Sequence, residues 1–412
     1  MEQLIGYLKK FLLRDQEVAQ QVGYTSDETQ FANYKVVIRP SGVFDCLSEP
    51  KQVAELLQPD MEYEGLPVLF GSDKSYQHSD TLVIEADMVA TAYYLLSRYE
   101  EQIIAERDEH GRFTSSLSWL GQCGWLDRPL VDAYGEFLHL RVTGKQPSYC
   151  GAQLCLTHDL DRIVKYATAR NWLGGIRRMD FAEMLRTVCN QCNDPYWTAC
   201  RDLASLTGDK PDVRQVFFVY TATHSRCLED SGCVPLECID ESVLQELKSL
   251  PAEIGVHFSY AAGCNKSLLD SELQTAHFLL GRPISSSRYH FLANLKASDL
   301  EWQESIGITD EYTAGYADRV GFRLGTCRPV RFMSPLTGRL SNLYLHPLAA
   351  MDRTLADSRY MGLGNDEALR QLIELKTQVK HYGGELNVLW HNSMVADSAS
   401  QLHLLQQLVE AW

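Results

Sequence analysis

The 412-residue sequence predicts an α/β protein in which a smaller α/β domain precedes a parallel (β/α) barrel one strand short of eight. Short apolar runs of strand length alternate with helical patterns through about 260 residues, which is typical of a parallel sheet. Most of these runs end in an acidic, basic or imidazole side chain, as barrel strands do where they open into a functional face. The chain is also long enough to hold two or three domains.

The first domain is expected over residues 1–145, and the sequence does not indicate its role. Its opening segment is predicted to be an amphipathic helix. Asp87–Glu101 predicts another helix, because several apolar side chains fall on one face: Met88, Ala92, Leu95, Leu96 and Tyr99. Three runs predict strands: Tyr34–Ile38, Leu66–Phe70 and Thr81–Glu85. Asp108–Phe113 is interpreted as an ordinary polar turn. The polar stretch Arg141–Ser148 is predicted to be the domain boundary.

The second domain is expected over residues 146–412, with helices between most of its strands. Its predicted strands are Leu154–Thr157, Gln215–Thr221, Glu253–His257, Ser286–His290, Ile306–Asp310, Gly321–Leu324 and Leu386–His391. Its predicted helices are Arg162–Arg170, Glu241–Ser249, Ser271–Leu280, Asp299–Ser305 and Glu367–Tyr382. Ser298 and Glu301 predict a capping box at the start of one of them.

Composition narrows the class of partner. The net charge of -16 argues against a nucleic-acid backbone or an anionic membrane as the main partner. We find neither the layout of a signal peptide nor an apolar run of membrane-spanning length. Twelve cysteines spread over the chain do not form a disulfide framework. We therefore expect a cytoplasmic protein that binds small or neutral ligands, and its oligomeric state is not predicted.

Reactive side chains fall at the carboxyl ends of the predicted strands. The buried run Leu154–Asp161 ends in two carboxylates, Asp159 and Asp161. Later strand ends supply His257, Arg288, His290, Asp310 and His391. Taken singly, each has an ordinary structural interpretation, such as a helix cap, a buried imidazole or an ion pair. Because a parallel barrel gathers these ends at one mouth, their shared position predicts a functional site.

Two aspartates and one or more histidines supply ligands suited to zinc or another divalent transition metal. Such a metal lowers the pKa of bound water, and a nearby carboxylate can take the proton as that water attacks a carbonyl. Hydrolysis of an amide or ester is therefore the expected reaction. Dinucleotide binding is not expected, because Gly362-Leu-Gly364 lacks both a preceding strand and a third glycine.

Four motifs resemble, in order and spacing, those of the polysaccharide deacetylases, the NodB-homology enzymes of the carbohydrate esterase family 4 type. They are Thr157-His158-Asp159-Leu160-Asp161, Glu253-Ile-Gly-Val-His257, Arg288-Tyr-His290 and Leu389-Trp-His391. The resemblance spans residues 150–400, and the first domain resembles an unclassified domain that precedes such modules in some bacterial proteins. It implies a distorted seven-stranded (β/α) barrel and the metal-dependent removal of N- or O-acetyl groups from sugars, with zinc as the expected cation.

The resemblance also implies a role for each matching residue. Asp159 matches the catalytic base, Asp161 a metal-binding carboxylate and His257 the first metal histidine. Arg288 matches the arginine that positions the base. His391 resembles the late histidine that protonates the leaving group or supports the base.

One position departs from the family pattern. The family usually has a second metal histidine four residues after the first, and this sequence has Ala261 there. His290 is the first candidate to replace that ligand, and His158 is the next.

Two functions therefore remain open. The first is a metal-dependent deacetylase that acts on a saccharide, such as the precursor of a surface polysaccharide. The second is a non-catalytic carbohydrate-binding or scaffold protein that has kept the barrel and lost the metal. Aromatic side chains near the mouth would stack on sugars in either case: Tyr260, Tyr289, Tyr312, Tyr316 and Trp390.

Overall fold

The structure is a computed structural model that describes residues 1–167, 169–208, 210–222, 227–263, 265–293 and 296–412. It shows a mixed α/β protein with a four-stranded sheet in its first part and a nine-stranded sheet in its second. The predicted α/β class is therefore confirmed. Within these ranges, no helix combines the length and apolar character that crossing a bilayer requires.

The first part wraps short helices around a small sheet. Its strands are β1 (Val22–Tyr24), β2 (Val36–Ile38), β3 (Glu62–Tyr63), β4 (Leu66–Pro67), β5 (Gly71–His78) and β6 (Thr81–Ala86). Its helices are α1 (Glu2–Leu13), α2 (Gln16–Gln20), α3 (Pro50–Glu55), α4 (Met88–Leu96), α5 (Glu100–Ile103), α6 (Trp119–Gln122) and α7 (Leu130–Thr143). The sheet order is β1-β2-β6-β5, in which only β5 runs antiparallel to its neighbour.

Two predictions for this part need correction. The helix predicted over Asp87–Glu101 is interrupted by Arg98, whose φ of 56° ends α4 and separates it from α5. The strand predicted at Leu66–Phe70 forms only the two-residue β4, which pairs with β3. The strand predicted at Thr81–Glu85 is present as β6.

The second part is built on a long, mainly parallel sheet. Its strands are β7 (Gln153–Leu160), β8 (Val213–Tyr220), β9 (Glu253–Phe258), β10 (Ser286–Tyr289), β11 (Asp310–Glu311), β12 (Val330–Met333), β13 (Leu340–Leu345), β14 (Leu348–Met351) and β15 (Glu385–Leu389). Their order is β12-β13-β11-β10-β9-β8-β7-β15-β14, and only β12 runs antiparallel to its neighbour. No pairing between the outer strands β12 and β14 closes this sheet in the described residues, so its strand count and open edges differ from the predicted seven-stranded barrel.

The helices of the second part follow most of its strands. They are α8 (Ala169–Arg178), α9 (Phe181–Cys189), α10 (Pro195–Ala204), α11 (Glu241–Lys248), α12 (Lys266–Leu280), α13 (Ala297–Ser305), α14 (Asp352–Ala356), α15 (Asn365–Tyr382), α16 (Asn392–Asp397) and α17 (Ala399–Ala411). The helix predicted over Arg162–Arg170 is wrong, because turns follow β7 and α8 begins only at Ala169. The predicted capping box is also wrong, because Lys296 rather than Ser298 is the N-cap of α13.

A buried carboxylate ties the two parts together. Asp132 on α7 is buried, and it accepts hydrogen bonds from Arg14 Nη2 at 3.0 Å and from Arg328 Nε at 2.5 Å. It also accepts from Thr326 Oγ1 at 2.8 Å and from the backbone N–H of Cys327 at 3.0 Å. Burial favours the neutral acid, but Arg328 and Arg14 lower the pKa of Asp132. The packing agrees with this link, since one cluster of buried apolar side chains runs through both parts.

We expect Asp132→Ala to lower the free energy of unfolding by about 3–5 kcal/mol, because the substitution leaves two guanidinium groups without their buried partner. Urea denaturation monitored by tryptophan fluorescence measures this. Asp73→Ala on the exposed face of β5 is the control, and we expect it to stay within about 0.5 kcal/mol of the unsubstituted protein. Equal losses in the two variants would contradict the role given to Asp132.

Candidate active site

Strands β7, β9 and β10 of the large sheet bring several predicted site residues together. Asp159 lies near the end of β7, Asp161 directly follows it, His257 lies on β9 and Arg288 on β10. These strands run parallel, so their carboxyl ends open on one edge of the sheet. Alternation of side chains along β7 puts Asp159 on the same face as Thr157, and Arg288 contacts both.

His257 is fully buried and faces the two carboxylates. Its Nδ1 donates a hydrogen bond to the carbonyl oxygen of Arg288 at 3.1 Å, which leaves Nε2 of the neutral ring without a hydrogen. This Nε2 lies 3.1 Å from Asp161 Oδ1 and 3.7 Å from Asp159 Oδ2. Burial opposes a charge on the ring, but Asp159 and Asp161 raise the pKa of His257. An imidazole nitrogen this close to two carboxylates requires either a proton or another cation between them.

His290 follows β10 and supplies a second imidazole. Its Nδ1 donates to Asp230 Oδ1 at 2.9 Å, and its Nε2 lies 3.7 Å from Asp161 Oδ1. Asp230 also accepts the backbone N–H groups of Tyr260, at 2.9 Å, and of Ala261, at 3.1 Å. Ala261 therefore contributes through its backbone, because its N–H group helps to hold the carboxylate that orients His290.

Cys233 lies beside His290 and was not anticipated from the sequence. Its Sγ is 3.6 Å from His290 Nε2, and ligand atoms of Asp161, Cys233 and His290 all lie within 4.8 Å of one another. Burial, together with the Asp161 and Asp230 carboxylates, raises the pKa of the Cys233 thiol. A cation at this position would have to offset those effects before the thiolate could form.

The donors Asp161, Cys233 and His290 could hold a divalent transition metal, and His257 Nε2 lies 3.1 Å from Asp161 Oδ1 beside them. Both imidazoles have Nδ1 held by an acceptor and direct Nε2 towards Asp161, which is how outer partners orient metal-binding histidines. Ligand atoms bound to one tetrahedral ion at about 2.0–2.3 Å lie roughly 3.3–3.7 Å apart. The separations from Asp161 Oδ1 to the two Nε2 atoms, 3.1 and 3.7 Å, are close to that range.

Asp159 is the second carboxylate of the site, and only 3% of it is exposed. Its Oδ1 accepts a hydrogen bond from Arg288 Nη1 at 3.0 Å, while its Oδ2 points towards His257. Arg288 is fully buried, and it also donates to Thr157 Oγ1 at 2.8 Å and to the carbonyl oxygen of Tyr312 at 3.0 Å. These bonds fix the guanidinium group, so it supplies Asp159 with a counter-charge of defined position.

His391 follows β15 and reaches the same region from the other side of β7. Its Nδ1 donates to Asp352 Oδ1 at 2.8 Å, and its backbone N–H donates to Oδ2 of the same carboxylate at 2.7 Å. Burial disfavours the imidazolium, but the charge and hydrogen bond of Asp352 raise the pKa of His391 to about 9. His391 is therefore a histidine that carries a proton at neutral pH.

Asp159, Asp161, Cys233, His290 and His391 line one cavity of about 390 Å³, whereas His257 and Arg288 are not part of its lining. Its polar lining includes Asp159, Asp161, Glu229, Cys233, His110, His290, His391, Arg112, Arg162, Arg353, Arg359 and Tyr360. The cavity is large enough for a sugar ring and its substituents.

The first part of the chain contributes to this cavity, which the sequence did not indicate. Arg112 donates to the carbonyl oxygen of Phe291 at 3.2 Å and to Tyr360 Oη at 3.1 Å. The ring centroid of Phe291 lies 4.7 Å from those of both His110 and His290. Phe291 has a φ of 63°, a conformation that costs about 1–3 kcal/mol in a residue with a side chain. The turn Asp108–Phe113 therefore supports the strained segment that follows His290.

Several residues singled out in the sequence lie outside the site. His158 points away from the cavity, donates from Nδ1 to the carbonyl oxygen of Trp390 at 3.0 Å and lies 4.6 Å from the Phe217 ring, so it is not a ligand candidate. Burial lowers its pKa to about 4. Asp310 begins β11 at the opposite edge of the sheet and pairs with His346 at 2.8 Å. Four of the five aromatic side chains proposed to stack on sugars are buried in the core: Tyr289, Tyr312, Tyr316 and Trp390. The fifth, Tyr260, is absent from the lining of the cavity.

We expect Asp230→Asn to weaken zinc binding about 10- to 100-fold, because the variant loses the carboxylate that orients His290. Zinc titration against a competing chelator measures the dissociation constant. Asp240→Asn is the matched control. Asp240 is exposed, and although it stands at the N-cap of α11, its side chain accepts no capping hydrogen bond. Unchanged zinc affinity in Asp230→Asn would show that His290 does not need this carboxylate.

Comparison with known proteins gives a family model that matches the first part and two solved structures to which the chain is similar. Residues 2–147 match DUF7033, a family of unknown function. No curated protein matches the chain. One similar structure is a protein of Mycobacterium smegmatis assigned as a polysaccharide deacetylase, with 13% sequence identity, a TM-score of 0.41 and coverage of 64% of this chain and 88% of the other. Another, of Bordetella bronchiseptica, is assigned as a polysaccharide deacetylase involved in O-antigen biosynthesis, with 17% identity, a TM-score of 0.33 and coverage of 64% and 91%.

Proposed function

We propose that this protein is a metal-dependent hydrolase that removes N- or O-acetyl groups from a saccharide. The observation that carries the proposal is the convergence of His257 and His290 on Asp161, beside a second carboxylate that is paired with Arg288. The four sequence motifs that resemble those of polysaccharide deacetylases supply these same residues. Support for the reaction therefore comes from the side-chain chemistry, and support for the sugar substrate from the motifs.

In this proposal Asp161, His257 and His290 would hold the metal. The ligand atoms of Asp161, Cys233 and His290 lie within 4.8 Å of one another, and His257 Nε2 lies 3.1 Å from Asp161 Oδ1. When bound, a divalent ion such as zinc supplies Lewis acidity to the acyl carbonyl and to the attacking water. The protein holds the imidazoles in place through the carbonyl oxygen of Arg288 and through Asp230.

Asp159 is the base in this proposal. Its Oδ1 is held by Arg288, and its Oδ2 is directed at the centre of the site. As the oxygen of water forms a bond to the acyl carbon, one proton of that water passes to the Asp159 carboxylate. The buried guanidinium of Arg288 keeps the base in position throughout.

His391 is the acid. The bond from the acyl carbon to the sugar nitrogen or oxygen breaks, and the imidazolium of His391 gives its proton to that leaving atom. Asp352 holds the ring by Nδ1, so Nε2 is the atom that donates. The products are acetate and a sugar that bears a free amine or hydroxyl group.

The test is metal analysis combined with acetate release. We expect the purified chain to bind one equivalent of zinc, His257→Ala to lose most of it, and the zinc-loaded protein to release acetate from N-acetylated oligosaccharides. His158→Ala is the matched control, because His158 is a histidine of the same sheet that faces away from the cavity. If His158→Ala loses as much zinc as His257→Ala, the assignment of His257 as a metal ligand is contradicted.

A different result would favour the second function left open by the sequence. Absence of zinc at pH 8, together with no acetate release from any acetylated saccharide, would overturn the hydrolase proposal. Retained sugar binding in that protein would then identify a non-catalytic carbohydrate-binding module.

A further inference from the structure

The lining of the cavity has a higher proportion of basic side chains than the chain as a whole. The sequence has 54 acidic and 38 basic side chains, yet the cavity lining has four arginines and three carboxylates. The arginines are Arg112, Arg162, Arg353 and Arg359. The lining therefore lacks the excess of acidic side chains that the whole chain has.

Two of these arginines have partners within the protein. Arg112 Nε donates to Asp108 Oδ2 at 2.7 Å, and Arg359 Nη2 donates to Asp357 Oδ2 at 2.7 Å. Their charges are therefore largely compensated. Arg112 is also held by Phe291 and Tyr360, so it shapes the wall of the cavity.

The other two form no hydrogen bond or ion pair through their guanidinium groups among the described residues, although the charge of Arg353 contributes to lowering the pKa of Asp357. Neither the Arg162 nor the Arg353 guanidinium group donates a hydrogen bond to, or forms an ion pair with, a described side chain or carbonyl group. Arg162 only covers the ring of Tyr196, at 5.1 Å from its centroid. Both are partly buried. Two partly buried guanidinium groups that face one cavity without an acceptor are matched to an oxyanion that arrives with a ligand.

Their position indicates which part of the ligand carries that anion. Arg162 follows Asp161 at the end of β7, and Arg353 follows Asp352 at the start of α14. Strand β15, which ends just before His391, lies between β7 and β14. The two arginines therefore flank the strand that presents the proton donor, on the side of the leaving group rather than on that of His257 and His290.

We infer that the saccharide substrate carries an anionic group, a phosphate or a carboxylate, and that Arg162 and Arg353 bind it. The inference rests on the proposed function for the saccharide alone. Because the leaving group is the deacetylated sugar, the anion belongs to the sugar and not to the acyl group. Phosphate and carboxylate share the geometry that guanidinium recognises, with two oxygens that accept parallel hydrogen bonds.

Calorimetric binding to the full-length protein tests this without turnover. The probes are N-acetylglucosamine, its 1-phosphate, the corresponding N-acetylated amino uronic acid, and acetate. We expect at least one anionic sugar to bind about 10- to 100-fold more tightly than the neutral sugar. The double substitution Arg162→Gln with Arg353→Gln is expected to abolish that preference and to leave the affinity for the neutral sugar unchanged. Arg370→Gln, on the exposed face of α15, is the control.

The outcomes separate this inference from the proposed function. A preference for the phosphate alone or for the uronic acid alone supports the inference and identifies the anion. Equal affinity for neutral and anionic sugars overturns it, as does a preference that survives the double substitution. Loss of acetate binding without loss of sugar discrimination also overturns it, since the arginines would then serve the acyl side. Zinc binding and acetate release are measured separately, so the proposed function can stand or fail independently of these results.

Discussion

Asp159→Asn is expected to lower kcat for acetate release by about 10²- to 10⁴-fold, the range attributed to a well-placed general base. The amide keeps an oxygen that accepts from Arg288 Nη1, so the local packing is preserved while the group that takes the proton is lost. Steady-state acetate release by the zinc-loaded protein measures the effect.

Zinc content is the control for this variant. Asp159 lies 3.7 Å from His257 Nε2, farther than Asp161, so the variant is expected to bind a full equivalent of zinc. Retention of more than a tenth of the original kcat, with zinc bound, would show that Asp159 is not the base.

Asp352→Asn is expected to move the alkaline limit of the pH profile of kcat to lower pH. Burial alone would lower the pKa of His391, and Asp352 is the largest influence that raises it to about 9. The acid acts only when protonated, so activity is present below this pKa and is lost as the pH rises through it. Removal of the Asp352 charge lowers the pKa, and we expect kcat near pH 8.5 to fall about 10²-fold or more.

The pH dependence of kcat, measured from pH 6 to pH 10, tests this. Asp73→Asn on the exposed face of β5 is the control and should keep the original profile. An alkaline limit that stays in place in Asp352→Asn would contradict the role of His391 as the acid. A uniform loss at all pH values would instead indicate that Asp352 only positions the ring.

The parts of the fold that could be predicted are those with long buried runs. Strands β7, β8, β9 and β15 were predicted because parallel strands covered on both faces are continuously apolar. Strands β12 and β14 have only four residues each, and their apolar runs are too short to distinguish from loops. The strand predicted at Gly321–Leu324 is wrong because this segment packs on the first part of the chain, where the Phe322 N–H donates to the carbonyl oxygen of Leu126 at 2.7 Å.

The side chains of the candidate site could likewise be predicted where they lie at the ends of long strands, and not where they lie in connections or after short strands. Those at the ends of long strands were named from the sequence: Asp159, Asp161, His257, Arg288, His290 and His391. Three partners were missed: Asp230 and Cys233, which lie in the connection between β8 and α11, and Asp352, which follows the short strand β14. No periodic pattern links such positions to the sheet, and their contacts form only when the chain folds back on itself.

Diffraction from crystals of the zinc-loaded protein at the zinc absorption edge is the most direct test of the central claim. We predict one anomalous peak per chain, at about 2.0–2.2 Å from a carboxylate oxygen of Asp161 and from the Nε2 atoms of His257 and His290. A peak at any other position, or a direct His257–Asp161 hydrogen bond that persists at saturating zinc, would contradict the account.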